Sequence, residues 1–154
     1  MRERPIALWL EGMKDVLKQL SRRSGAPAGQ SGGLLSPLLE TLRAGHAAGW
    51  IEGSRVLDCG CGRGRLVGKL ADDVSYTGVD HDPTLVEYLR GRYRGSEFVC
   101  AAVEAMAFPS DIFFDSVVMV ALIEHLSSPL AVVRRLASLL RPGGGLLITT
   151  PTSS

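Results

Sequence analysis

The segment Val56-Leu57-Asp58-Cys59-Gly60-Cys61-Gly62-Arg63-Gly64 constrains this chain more than any other stretch. An apolar run closes on an acid and passes directly into three glycines at alternate positions. Glycine belongs where a tight turn needs backbone conformations that side chains forbid, or where a ligand approaches the main chain closely. A strand is therefore predicted over Arg55–Asp58, then the turn, then a helix from Arg65 to Ala71. The N–H groups and positive dipole end of that helix suit a carboxylate or phosphate. A second acid narrows the reading. Asp80 closes the next apolar run, Ser75–Val79, where a carboxylate can accept both hydrogen bonds from a ribose diol.

The pattern continues in the same texture. Ser36-Pro37 opens a helix to about His46, and Asp82-Pro83 caps another to about Arg92. Glu97–Cys100 reads as strand three. Asp115–Val120 is a nearly continuous apolar run, as expected for strand four buried on both faces. Ser128-Pro129 starts a helix through Leu140, Arg141-Pro142-Gly143-Gly144 turns the chain, and Leu146–Thr150 is strand five. Strands alternating with helices predict an α/β fold with a parallel sheet and right-handed crossovers.

The first 33 residues differ. Ile6, Trp9, Leu10, Met13, Val16, Leu17 and Leu20 recur at helical spacing, predicting an amphipathic N-terminal helix over residues 1–20 that docks on a core. Residues 21–33 are rich in Ser, Gly and Pro and read as a flexible linker. The folded domain is then 34–154, one domain with one core.

Charge and cysteines exclude several classes. Seventeen basic and sixteen acidic residues leave a net charge of +1, so no bulk attraction to nucleic acid or a membrane surface is expected. Cys59, Cys61 and Cys100 lack the number and spacing of a disulfide framework or a zinc site, and the histidines are scattered, so no metal is expected. The apolar stretch Ile6–Leu10 is too short for a signal core or a membrane span, which predicts a cytoplasmic protein.

Taken together, the motifs resemble those of class I S-adenosylmethionine-dependent methyltransferases of the type 11 kind. The glycine segment is similar to the family's first motif and Tyr76-Thr77-Gly78-Val79-Asp80 to its second. Phe114-Asp115-Ser116-Val117-Val118, Ile123-Glu124-His125-Leu126, Leu140-Arg141-Pro142-Gly143-Gly144 and Ile148-Thr149-Thr150-Pro151 follow in family order. The resemblance implies a Rossmann-like, doubly wound parallel sheet of order 3-2-1-4-5 with helices on both faces. The family's last two strands are not found before Ser154, which suggests a fragment or an edge covered by a second copy or another partner.

The resemblance also implies roles. Asp58 and the backbone of Gly60, Cys61, Gly62 and Gly64 hold the methionine portion of S-adenosylmethionine, which leaves as S-adenosylhomocysteine. Asp80 takes the ribose hydroxyls, His81 lies against the adenosine, and Val120 and Ala121 border the methionine portion. Ala102 stands where the family places an adenine-binding aspartate, leaving Glu104 or the backbone of Val103 for that task. His125 is the candidate catalytic base, against the alternative of a histidine that packs beside strand four. The acceptor implied is a small molecule, lipid-like or a metabolite. Two other readings stay open: a non-catalytic cofactor-binding scaffold, and an NAD-dependent dehydrogenase, whose fingerprint wants glycine where Arg65 stands.

Overall fold

The computed structural model describes residues 36–109 and 111–150. The predicted N-terminal helix and linker therefore lie outside the described residues. Five strands, β1 (Arg55–Cys59), β2 (Ser75–Asp80), β3 (Glu97–Cys100), β4 (Phe114–Val120) and β5 (Leu140–Thr149), form one sheet in the order β3-β2-β1-β4-β5. Every neighbouring pair is parallel. This is the doubly wound topology expected from the sequence, and it places the chain reversal between β1 and β4 beside the glycine loop.

Alternation along β1 and β4 sends side chains to two faces. On one face Leu57, Cys59, Val117 and Met119 pack under Val132, Val133 and Leu136 of α3 (Pro129–Ala137). On the other, Val56, Tyr76 and Val118 meet Ala47 of α1 (Ser36–Ala48) and Val86 and Leu89 of α2 (Pro83–Arg92). Both faces are covered, which is what a parallel sheet requires. Asp82 starts α2 as anticipated, its Oδ1 accepting the Thr84 and Leu85 N–H groups at 2.8 and 3.3 Å.

Three expectations need correction. The helix predicted over Arg65–Ala71 is only a 3-10 turn at Val67–Lys69. Gly68 costs about 1 kcal/mol in a helix interior, and a segment this short does not offset nucleation. No full helix dipole therefore points at the loop. The helix expected to reach Leu140 stops at Ala137, because Leu140 pairs with Phe114 at the start of β5. The Arg141–Gly144 turn, in turn, is a bulge inside β5: the pairing jumps from Phe114↔Leu140 to Ser116↔Gly145. Asp115 faces that bulge and binds Arg141 Nε at 2.6 Å, while its other oxygen accepts the N–H groups of Ser54 and Arg55.

Candidate functional site

Where β1 ends, Gly60 and Cys61 both donate their N–H groups to Val79 O, at 2.8 and 3.0 Å, tying the loop to the end of β2. Gly64 N–H closes the turn on Cys61 O at 2.9 Å. Two glycines are sterically required. Gly64 has φ +69° and a Cβ there would lie 2.4 Å from Leu89 Cδ2, so α2 packs directly on the backbone. Gly60 has φ +74°, and a Cβ would meet Leu122 at 3.1 Å.

Asp80 completes the loop. Its Oδ2 accepts the Gly62 N–H at 2.8 Å and its Oδ1 the Asp82 N–H at 3.1 Å, with His81 Nδ1 3.4 Å from Oδ1. The carboxylate is 7% exposed, whereas the His81 ring is open to solvent. Asp58, one strand over, is buried and accepts the Tyr76 hydroxyl at 2.6 Å. Burial pushes its carboxyl up to about 6; the Tyr76 bond pulls it down and the neighbouring Asp80 charge pushes it further up. Burial also raises the thiols of Cys59 and Cys61 and the Tyr76 phenol, so all three stay protonated near neutrality.

A cleft of about 320 Å³ opens at the C-terminal ends of β1 and β4. Its walls bring together Asp58, Gly60, Cys61, Gly62, Val120, Ala121 and His125 from the residues singled out in the sequence. Ala121 turns the chain out of β4 at φ +51°, a left-handed conformation that costs a non-glycine residue about 1–2 kcal/mol. It is pinned by its N–H bond to Thr149 O at 2.9 Å. His125 ends the 3-10 turn Ile123–His125 and is exposed at the rim.

The adenine candidates are placed differently. Glu104 Oε1 accepts the N–H groups of Ser127 and Ser128, at 2.8 and 3.3 Å, at the start of α3. Val103 is buried in the α3-side core, and its carbonyl accepts from Arg135. Neither belongs to the cleft wall.

Sequence reasoning missed the contribution of α1, which supplies Glu40, Arg43 and Ala44 to the cleft. Arg65 anchors that helix over the loop, with Nε 2.9 Å from Glu40 Oε2 and Nη1 2.8 Å from Thr41 Oγ1. Tyr76 was also missed as a partner of Asp58, although strand alternation puts both on one face. Among the described residues, no group of three or more His, Cys, Asp or Glu side chains could hold a metal ion. No helix among them is long and apolar enough to cross a membrane.

Comparison with known proteins bears on this geometry. Residues 57–148, more than half of the chain, match the family model described as a methyltransferase domain. A ubiquinone biosynthesis O-methyltransferase of Xanthomonas campestris pv. campestris is 37% identical over 105 residues, spanning 65% of this chain and 44% of the relative. The chain thus spans about half the length of the curated relatives it matches. The CcbJ methyltransferase of Streptomyces caelestis superimposes with a TM-score of 0.64 at 21% identity, covering 78% of this chain and 56% of that one. A structure with S-adenosylmethionine bound, an amino pentose methyltransferase of Micromonospora echinaspora, gives 0.58 at 21% identity, with 89% and 56% covered. These structural likenesses carry the fold. The family match removes the dehydrogenase alternative, in keeping with Arg65 at the position where that fingerprint needs glycine. The chain belongs to the methyltransferase domain family, within the class I S-adenosylmethionine-dependent methyltransferases.

Proposed function

We propose that the cleft binds S-adenosylmethionine and that the chain transfers its methyl group to an oxygen of a small, lipid-like acceptor. One observation carries the cofactor reading: a buried carboxylate, Asp58, sits in the wall of a glycine-lined cleft and has no cationic partner among the described residues. A buried carboxylate without a counter-ion is costly, and the ammonium of a methionine moiety supplies one. The cleft volume falls within the range of about 300–1,000 Å³ usual for small-molecule sites.

When bound, the cofactor supplies a sulfonium that activates its methyl group. The protein's part is position. Asp58 and the loop backbone hold the methionine end. Asp80, already fixed by two N–H groups, keeps lone pairs for the ribose hydroxyls. His81 borders the adenosine. One Glu104 oxygen is engaged at the start of α3 and the Val103 carbonyl is taken by Arg135, which leaves the Val103 N–H as the better adenine partner. Val120, Ala121 and Leu122 flank the methyl group, and His125 at the rim takes the proton that the acceptor hydroxyl gives up. The acceptor class rests on the O-methyltransferase relatives. Three free thiols, Cys59, Cys61 and Cys100, suit a reducing cytoplasm. β5 is, with β3, one of the two edge strands among the described residues, and a second copy or another partner pairing along it would protect its open edge.

The test is transfer of a radiolabelled methyl group from S-adenosylmethionine to a catechol carrying a prenyl tail. Label is expected in the extracted phenol, with His125→Gln slower by about 10²-fold or more. Binding of S-adenosylhomocysteine without any label transfer would leave the cofactor reading and remove the acceptor reading.

A further inference from the structure

Tyr76 has no role in the site as described so far, yet its hydroxyl makes the one side-chain hydrogen bond to Asp58 found among the described residues. The register explains how they meet. Val56 pairs with Tyr76 and Asp58 with Gly78, so Tyr76 and Asp58 project to the same face as diagonal neighbours, within reach of a long side chain. Gly78 keeps the lane between them clear: a Cβ there would stand 3.0 Å from Tyr76 Cε1, 2.9 Å from Phe98 Cδ1 and 3.0 Å from Cys61 Sγ. The Tyr76 ring is 2% exposed and tilts against Phe98 with centroids 5.8 Å apart. It therefore cannot swing away without opening the core.

At 2.6 Å the contact is in the range of a charge-assisted O–H···O⁻ bond, with the phenol donating. It engages Oδ2 and leaves Oδ1 as the remaining acceptor. We propose that Tyr76 is a positioning residue of the cofactor site, holding Asp58 ionised and oriented so that its second oxygen receives the ammonium of the methionine moiety. This rests on the cofactor reading above. Burial alone favours the neutral acid, and the donated hydroxyl opposes it, as the direction of its effect on Asp58 shows.

Other groups near Asp58 are accounted for. Cys59 and Cys61 stay protonated. Asp80 is braced by its own N–H donors. From α1 and the loop, Glu40 and Arg65 pair with each other, and Arg43 and Arg63 stand on the cleft wall. His125, the remaining titratable side chain of the wall, is replaced by Gln in a parallel series.

The experiment compares wild type with Tyr76→Phe, which keeps the ring and removes the hydroxyl. Calorimetry is run from pH 5.5 to 8.5 with S-adenosylhomocysteine and with methylthioadenosine, which lacks the amino-acid portion. For S-adenosylhomocysteine the variant should bind about tenfold more weakly at pH 7, and the pH at which affinity falls should move up by about one unit, with His125→Gln in either background leaving that shift in place. Methylthioadenosine should bind both proteins alike. Equal weakening of both ligands would show a merely structural Tyr76 and overturn the proposal, as would an unmoved pH profile. Carboxyl carbon NMR of Asp58 without ligand keeps the two readings separable. An Asp58 titration that rises in Tyr76→Phe supports the Tyr76 hold even if neither ligand binds, whereas an unchanged one refutes it.

Discussion

Asp80 fastens the glycine loop to β2 by accepting the Gly62 N–H at 2.8 Å, so the residue expected to bind a ribose also shapes the turn in front of it. The two duties are compatible, because an ionised carboxylate offers about four lone-pair sites. They also make Asp80 sensitive to small changes. In Asp80→Asn one of the two oxygens that face N–H donors becomes an amide donor. Stability should fall by about 1.5–3 kcal/mol and S-adenosylhomocysteine affinity by tenfold or more. Urea denaturation and calorimetry check the two effects.

Gly64 and Gly62 separate packing from backbone strain. Both have positive φ, but a Cβ on Gly64 collides with Leu89 while one on Gly62 has nothing within 4 Å. Gly64→Ala should cost about 3 kcal/mol and Gly62→Ala about 1 kcal/mol, read as shifts in the urea midpoint. Equal costs would mean that α2 does not pack against the loop as described.

Asp58 gives a pH dependence opposite to that of a salt-bridged acid. Its folded-state pKa, about 6, lies above the ordinary aspartate value of 3.8, with burial as the main cause. The folded chain therefore holds this proton more tightly than the unfolded chain does. The associated stability is fully present below pH 3.8 and is lost as pH rises through about 6. Asp58→Asn, which never ionises, should be more stable than wild type at pH 8 by about 3 kcal/mol and show little gain at pH 4, while losing cofactor affinity. Denaturation at the two pH values decides it.

Glu104 should matter for stability and not for ligand. Its Oε1 accepts the N–H groups of Ser127 and Ser128, bracing the segment that leads into α3. Glu104→Ala should cost about 1 kcal/mol in thermal or urea unfolding. Affinity for S-adenosylhomocysteine should stay within about twofold of wild type. A tenfold loss would return Glu104 to adenine recognition.

The strands were legible because each is a short apolar run bounded by Gly, Pro or Asp, and the order of motifs carried the topology. The Arg65–Ala71 segment does not form a full helix, since Leu66, Val67 and Leu70 suit a 3-10 turn as well as a helix and Gly68 lies in the middle of that turn. The Arg141–Gly144 bulge looked like a plain turn because only its partner strand shows that pairing resumes at Gly145. Asp58, the glycines and Asp80 were visible as a constellation. The α1 wall and Tyr76 were not, because they reach the cleft through contacts between residues 18 to 25 apart that no local pattern encodes.

Asp58 and the glycine loop are the proposed site for S-adenosylmethionine. Calorimetric titration of the purified chain with S-adenosylhomocysteine at pH 7.5 tests it most directly. Saturable one-to-one binding is expected, weakened by at least tenfold in Asp58→Ala. No saturable heat up to about 1 mM ligand, or undiminished binding in Asp58→Ala, would contradict it.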